Sequence, residues 1–240
     1  MKFETMKECG ELGIEFIKDD NEGTRVSRDF LTNLVTSIVK RSTAYFDDTG
    51  DNIFIYREKQ LHSVVCPSIA DLTNGYVMEH PLTRKPAGED EYSGFVDYWI
   101  NYRNYSFAME MKHRYFAYRK SDQPNQKISS VFNSAINQLN NIRKEQCRDL
   151  MWFNRGLIKI ALQTIVFYQS SQDDIVQDEL KNQDFKKIFK QLIRNTDLNE
   201  KSNFRSLWLP SEGLIKSVEY NNGFEIYPAV AFVGKVFDVI

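Results

Sequence analysis

Hydrophobic and polar positions alternate in two distinct rhythms along this chain. Phe30, Leu31, Leu34, Val35, Ile38 and Val39 recur at i, i+3, i+4 spacing, which predicts an amphipathic helix over 28–46 with Ser27 as its N-cap. Ahead of it, residues 1–26 are acidic and weakly periodic, with at most a short strand or turn around 12–17. Leu61, Val64, Val65, Ile69 and Leu72 continue the helical rhythm, with Pro67 expected to kink or restart that helix and Asn74-Gly75 to stop it. Tyr76 to Arg84 reads as the first strand of a sheet, Pro81 marking an edge or an end. A second strong helix follows over 127–144, striped by Ile128, Val131, Phe132, Ala135, Leu139 and Ile142. Residues 157–168 are almost continuously apolar, as a strand buried on both faces should be. One or two charged amphipathic helices are expected over 171–196. From Leu207 onward the chain turns to strands, over 214–220, 224–227 and 229–237, with Asn221-Asn222-Gly223 as a hairpin turn.

The segment 94–112 organises the rest. Both of its halves are rich in aromatic and apolar residues, and Arg103-Asn104 between them is the least apolar dipeptide, so a β-hairpin is predicted with Asn104 tolerating a positive φ. A turn centred there pairs residues whose numbers sum to 207, which sets Asp97 opposite Glu110. Carboxylates so placed have Cβ atoms roughly 4.5–5.5 Å apart and repel unless something offsets them. Lys112 falls on the same face as Glu110 by the strand's period of two, while Met109 and Met111 turn the other way into apolar packing. The chain holds two further acid-x-Lys triplets, Glu179-Leu180-Lys181 and Asp184-Phe185-Lys186. They lie in a polar helical pattern with no facing acid, and read as solvated surface.

An Asp on one strand and Glu-x-Lys on the next resembles the PD-(D/E)xK nuclease superfamily, with its restriction-endonuclease-like fold. The likeness covers the hairpin and, more loosely, the flanks from about 58 to about 169; the family's Pro before the Asp is Val96 here. It implies an α/β fold with a mixed central sheet flanked by helices. An αβββαβ core over about 53–170 would be preceded by an N-terminal helical part (1–52) and followed by a helical insertion and C-terminal strands (171–240), all in one domain. By position, Asp97 and Glu110 would ligate a metal, with the Met111 carbonyl as a third ligand. Lys112 would orient or polarise the attacking water. Glu58, on the helix before the sheet, and Glu79, if it shares the inner face, are the candidates for a further carboxylate. The implied cofactor is Mg²⁺, with Mn²⁺ as an alternative, because hard cations take one or two carboxylates plus waters and phosphate oxygens. The implied activity is a hydrolase cleaving phosphodiester bonds in nucleic acid, DNA rather than RNA. Its rivals are a catalytically inactive module of the same fold that binds nucleic acid or a protein partner, and another metal-dependent activity such as a nucleotide phosphatase. A homodimer is compatible with each.

Composition adds limits. A formal net charge of −2 makes no global electrostatic case for a polyanionic partner, but residues 112–160 carry ten basic side chains against three acids, Asp122, Glu145 and Asp149, a stretch that suits a phosphate-bearing substrate and equally an ordinary solvated helix and loop surface. Arg84, Lys85, Arg114, Arg119 and Lys120 are the expected phosphate contacts, with Gln138 able to reach a phosphate or a water. Aromatics interleave with bases from His113 to Lys120, a pattern suited to base stacking and equally to strand packing. Three widely spaced cysteines without a CxxC pair fit reduced thiols in a cytoplasmic protein. No stretch approaches the ~20 apolar residues of a membrane helix. His62, His80 and His113 are too scattered for a zinc site, and no P-loop or dinucleotide-binding glycine pattern is present.

Overall fold

The computed structural model describes residues 1–17, 22–85, 88, 90–119, 126–142, 147, 156–172, 180, 183–237 and 239. Among these residues nine strands form one sheet: β1 (Lys2–Met6), β2 (Gly10–Phe16), β3 (Tyr76–Arg84), β4 (Tyr92–Tyr102), β5 (Tyr105–Ala117), β6 (Leu157–Ser171), β7 (Phe204–Pro210), β8 (Ser217–Tyr220) and β9 (Gly223–Val236). Their spatial order is β1-β2-β7-β9-β6-β5-β4-β3, with β8 paired to β9. β5 and β6 run parallel, whereas the other described ladders are antiparallel. The protein is therefore of mixed α/β class with a large mixed sheet.

Helices cover both faces. The long α1 (Glu22–Thr49) and α2 (Glu58–Ala70), joined by a 3₁₀ turn at Ile53–Ile55, bury Phe30, Leu34, Ile38, Leu61 and Val65 against Phe107, Met109 and Met111 of β5. On the opposite face α3 (Gln126–Asn140) and α4 (Phe185–Arg194) pack Phe132, Leu139, Phe189 and Ile193 against Trp99, Ala108, Ala161 and Ile165. A short α5 (Leu198–Lys201) follows α4. β6, flanked by β5 and β9 and covered on both faces, is buried along nearly its whole length, as its apolar run requires. No described helix is long and apolar enough to cross a membrane.

Several sequence expectations are met closely. β3 has the expected bounds and is an edge strand, with Pro81 inside it. The β4–β5 turn falls at Arg103-Asn104, and the register runs Tyr102↔Tyr105, Asn101↔Ser106, Ile100↔Phe107, Trp99↔Ala108, Tyr98↔Met109, every pair summing to 207. Arg103, rather than Asn104, takes the positive φ of 52°. It is braced by an ion pair to Asp29 at 2.7 Å and by its position over the Tyr102 ring.

Other expectations need correction. The N-terminal part is not only helical: a β1–β2 hairpin precedes α1, with β2 covering the short strand expected around 12–17. Ser27 does not cap α1, which begins at Glu22; its hydroxyl is buried and donates to the Gly23 carbonyl one turn back. The C-terminal strands are not an appendage, since β7 and β9 enter the sheet between β2 and β6. The β8–β9 hairpin turn comprises Asn221-Asn222, and Gly223 opens β9 with a φ of +122°; a Cβ there would lie 2.2 Å from the Ser171 carbonyl oxygen.

The organising feature is a parting of strands. β4 and β5 are paired only as far as Tyr98↔Met109. Beyond that point β4 follows β3 to Arg84↔Tyr92, and β5 follows β6 to Ala117↔Tyr168. Val96 and Trp99, three residues apart, pack into the same cluster, so side-chain alternation breaks at Asp97. The facing position in β3 is Glu79, where the ladder skips a pair and φ is +46°, an irregularity of the kind that bends strands beside sites.

Phe107 tests the core that holds the hairpin. It is fully buried and stacks on Phe30 with ring centroids 4.8 Å apart. Phe107→Ala is expected to lower the unfolding free energy by about 3–5 kcal/mol, read as a lower urea midpoint with an unchanged m-value.

Candidate active site

Where the strands part, two backbone donors of β5 lose the partners a continuing β4 would give them. Two carboxylates take their place. The Met111 N–H donates to Asp97 Oδ2 at 2.7 Å, and the His113 N–H donates to Glu58 Oε2 at 3.0 Å. A residue's N–H and C=O point the same way in an extended strand, so the Met111 carbonyl also faces the fork. Glu58 arrives because it opens α2, where a carboxylate is favoured by the helix dipole.

Lys112 stands among the acids. Its Nζ lies 3.6 Å from Asp97 Oδ2, 3.7 Å from Glu110 Oε2 and 3.7 Å from Glu58 Oε1. These distances exceed a hydrogen bond, so the ammonium is held by the summed field of three acids rather than locked to one. Asp97 and Glu58 remain partly exposed, with side-chain exposures of 27% and 39%, whereas Glu110 is at 1%.

Glu110 owes its burial to Arg84. The guanidinium, itself buried, donates from Nη2 to Glu110 Oε1 at 2.5 Å and to the Phe95 carbonyl, and from Nη1 to the Gln138 carbonyl at 2.8 Å. One side chain thus ties β3, β4, β5 and α3 together. Gly94, paired with Leu82, leaves the space: a Cβ there would come within 2.9 Å of Arg84 Nε. Burial, followed by the charge of Asp97, pushes the Glu110 carboxyl up from 4.5 to about 7, although Arg84 and Lys112 pull it the other way. Beside the fork, burial and then Arg114 lower His113 to about 4, so its ring is neutral at pH 7.

The structure therefore gathers Asp97, Glu110, Lys112 and Glu58. Glu79 is exposed on the edge strand and makes no described contact with them. Arg84 is a correction: it is no exposed phosphate contact but the buried partner of Glu110. Strand parity could have shown this, since Arg84 shares its face with buried Leu82. Lys85 is half-exposed and paired with Glu91 at 3.2 Å, and Arg114 and Arg119 are exposed. Lys120 lies outside the described residues. Gln138 offers its backbone carbonyl to Arg84, while its buried side-chain oxygen has no partner among the described residues. Within the basic stretch, Arg143, Lys144, Arg148 and Arg155 lie outside the described residues, and Lys159 is buried, donating to the Ile142 carbonyl at 2.5 Å. Of the other two triplets, Glu179 and Lys181 are not described. Asp184 caps α4 by accepting from the Lys187 N–H at 3.0 Å.

A magnesium-type ion would find hard oxygen donors of the right kind here, and a cation already sits at their centre in the form of the Lys112 ammonium. As the side chains stand, no group of three or more His, Cys, Asp or Glu among the described residues converges closely enough to hold a metal. An ion would require Lys112 to move aside. The chain matches no family model, no curated protein and no solved structure.

Two outcomes follow for the metal-free protein. The folded state keeps a proton on Glu110 that the unfolded chain releases, so the unfolding free energy of the wild type relative to Glu110→Gln should fall as pH rises from about 4.5 to about 7. Equal pH profiles for the two proteins in urea titrations would contradict this. Above pH 7, where Glu110 is ionised, Arg84→Met strands a buried carboxylate and should cost about 3–5 kcal/mol, with most of the loss recovered in Arg84→Met/Glu110→Met.

Proposed function

We propose that the protein is a metal-dependent nuclease of PD-(D/E)xK type that hydrolyses phosphodiester bonds in nucleic acid, DNA in preference to RNA. The observation that carries this reading is the placement of Lys112 Nζ within 3.7 Å of Asp97, Glu110 and Glu58, at the point where β4 and β5 separate. The order α2-β3-β4-β5-α3-β6, with β5 and β6 parallel, supports the αβββαβ arrangement of that superfamily. The exposed bases Arg114 and Arg119 lie further along the strand and connection that leave Lys112, where backbone phosphates would run.

Asp97 and Glu110 would hold Mg²⁺ or Mn²⁺, with the Met111 carbonyl and Glu58 as further oxygen donors. Once bound, the ion supplies Lewis acidity to the phosphate and lowers the pKa of a water. Lys112, displaced from the centre of the acids but tethered beside them, would orient that water and offset charge growing on the phosphate oxygens. Arg84 would keep Glu110 in one orientation throughout, because the guanidinium is fixed by two backbone carbonyls as well.

A second reading has its own support. Asp97 and Glu58 satisfy orphaned backbone donors, and Glu110 satisfies Arg84; acids so employed serve the fold without chemistry, in a module that binds nucleic acid or a protein partner. Incubation with plasmid and with single-stranded DNA or RNA, in Mg²⁺, Mn²⁺ or chelator, separates the two. The nuclease reading expects cleavage that stops in chelator and drops by about 10²-fold or more in Lys112→Ala. Binding that persists in chelator without cleavage in either metal would establish the binding module instead.

A further inference from the structure

A cavity of about 410 Å³ opens between α4 and strands β1, β2 and β7, in the size range of small-molecule sites. Four side-chain cations, Lys186, Lys190, Arg194 and Arg205, line it with the rings of Phe3 and Phe189 and with one acid, Glu15, which is ion-paired to the Met1 amino group at 3.0 Å. Three of the cations, Lys186, Lys190 and Arg194, form an i, i+4, i+8 stripe on α4. Like charges at that spacing repel, and among the described residues only Lys186 of the four is ion-paired, to Glu11 at 2.6 Å. The same ammonium lies 4.2 Å from the centre of the Phe3 ring.

Arg205 faces the stripe from β7. Its guanidinium is pinned on one side: Nε donates to Ser202 Oγ at 3.1 Å, and Nη2 donates to the Asn199 carbonyl at 2.9 Å and to Asn199 Oδ1 at 3.2 Å. Nη1 makes no hydrogen bond among the described residues. All of Arg205's described partners are neutral, and burial pulls its pKa down, with Glu15 acting in the opposite sense. A fixed, partly desolvated guanidinium opposite a row of like charges is a preorganised receiver for an anion. The rings add an apolar wall that a bare inorganic ion would leave unused.

We propose that this cavity binds a nucleoside phosphate, its phosphates on Arg205, Lys190 and Arg194 and its ring against Phe3. The site shares no residue with the fork of β4 and β5, so it stands or falls independently of the nuclease reading. Isothermal titration of the full chain in chelator, with ATP, adenosine, inorganic tripolyphosphate and a short oligothymidylate, tests it. Saturable ATP binding is expected, with adenosine much weaker. ATP affinity should fall about tenfold or more in Arg205→Gln and in Lys190→Glu/Arg194→Glu, whose substituted α4 side chains are exposed and dispensable for the core. Phe3→Leu should weaken ATP more than tripolyphosphate, and Asp97→Asn should leave ATP binding unchanged. No saturable ATP binding at millimolar concentration, undiminished affinity in the folded charge variants, equal affinity for tripolyphosphate, or a preference for the oligothymidylate would each overturn the assignment.

Discussion

The separation of β4 from β5 is the constraint on which the candidate site depends. A sheet that divides leaves backbone N–H groups without a ladder partner, and such groups must be satisfied when they are shielded from water. Here the substitutes for a neighbouring strand are carboxylates on Asp97 and Glu58. Acids are thus drawn into a crevice by the needs of the main chain, and their mutual repulsion has to be met by Lys112 and Arg84. The same geometry that completes the fold concentrates negative charge beside an ammonium, which explains why a structural and a chemical account share the same residues.

The two cations differ in kind. Arg84 is buried and makes three directed bonds, so it acts as a fixed tie between strands and helix. Lys112 is partly exposed and equidistant from its acids, without a short bond to any. The Glu110 side is thus fixed by directed bonds, and the Lys112 side is held by charge at longer range.

Much of this was legible in the chain because period-two patterning fixes register. The aromatic run on either side of Arg103-Asn104 determined the hairpin and its register, but the ladder stops at Tyr98↔Met109, one step short of the expected Asp97–Glu110 pair, and Asp97 instead accepts from the Met111 N–H. What the pattern could not show was that the ladder would end there, because the termination depends on β3 and β6 drawing the two strands apart, a nonlocal competition. Ser27 misled for a local reason: its cap chemistry is equally served inside a helix by a carbonyl one turn back. Lys159 looked like part of a basic surface, yet it sits in an otherwise apolar strand and is satisfied by a carbonyl. The central placement of β7 and β9 was hidden because order along the chain does not dictate order across a sheet.

The irregularity of β3 reaches beyond the crevice. An outermost strand exposes main-chain groups that can recruit a stranger, and proteins protect such borders with prolines and distortions. Pro81 offers no N–H, and the left-handed backbone at Glu79 bends the border away from a straight template. Strand addition on that flank is therefore suppressed, which guards against aggregation. Among the described strands, the borders left open are β1 at the far end and β8, which is paired only to β9.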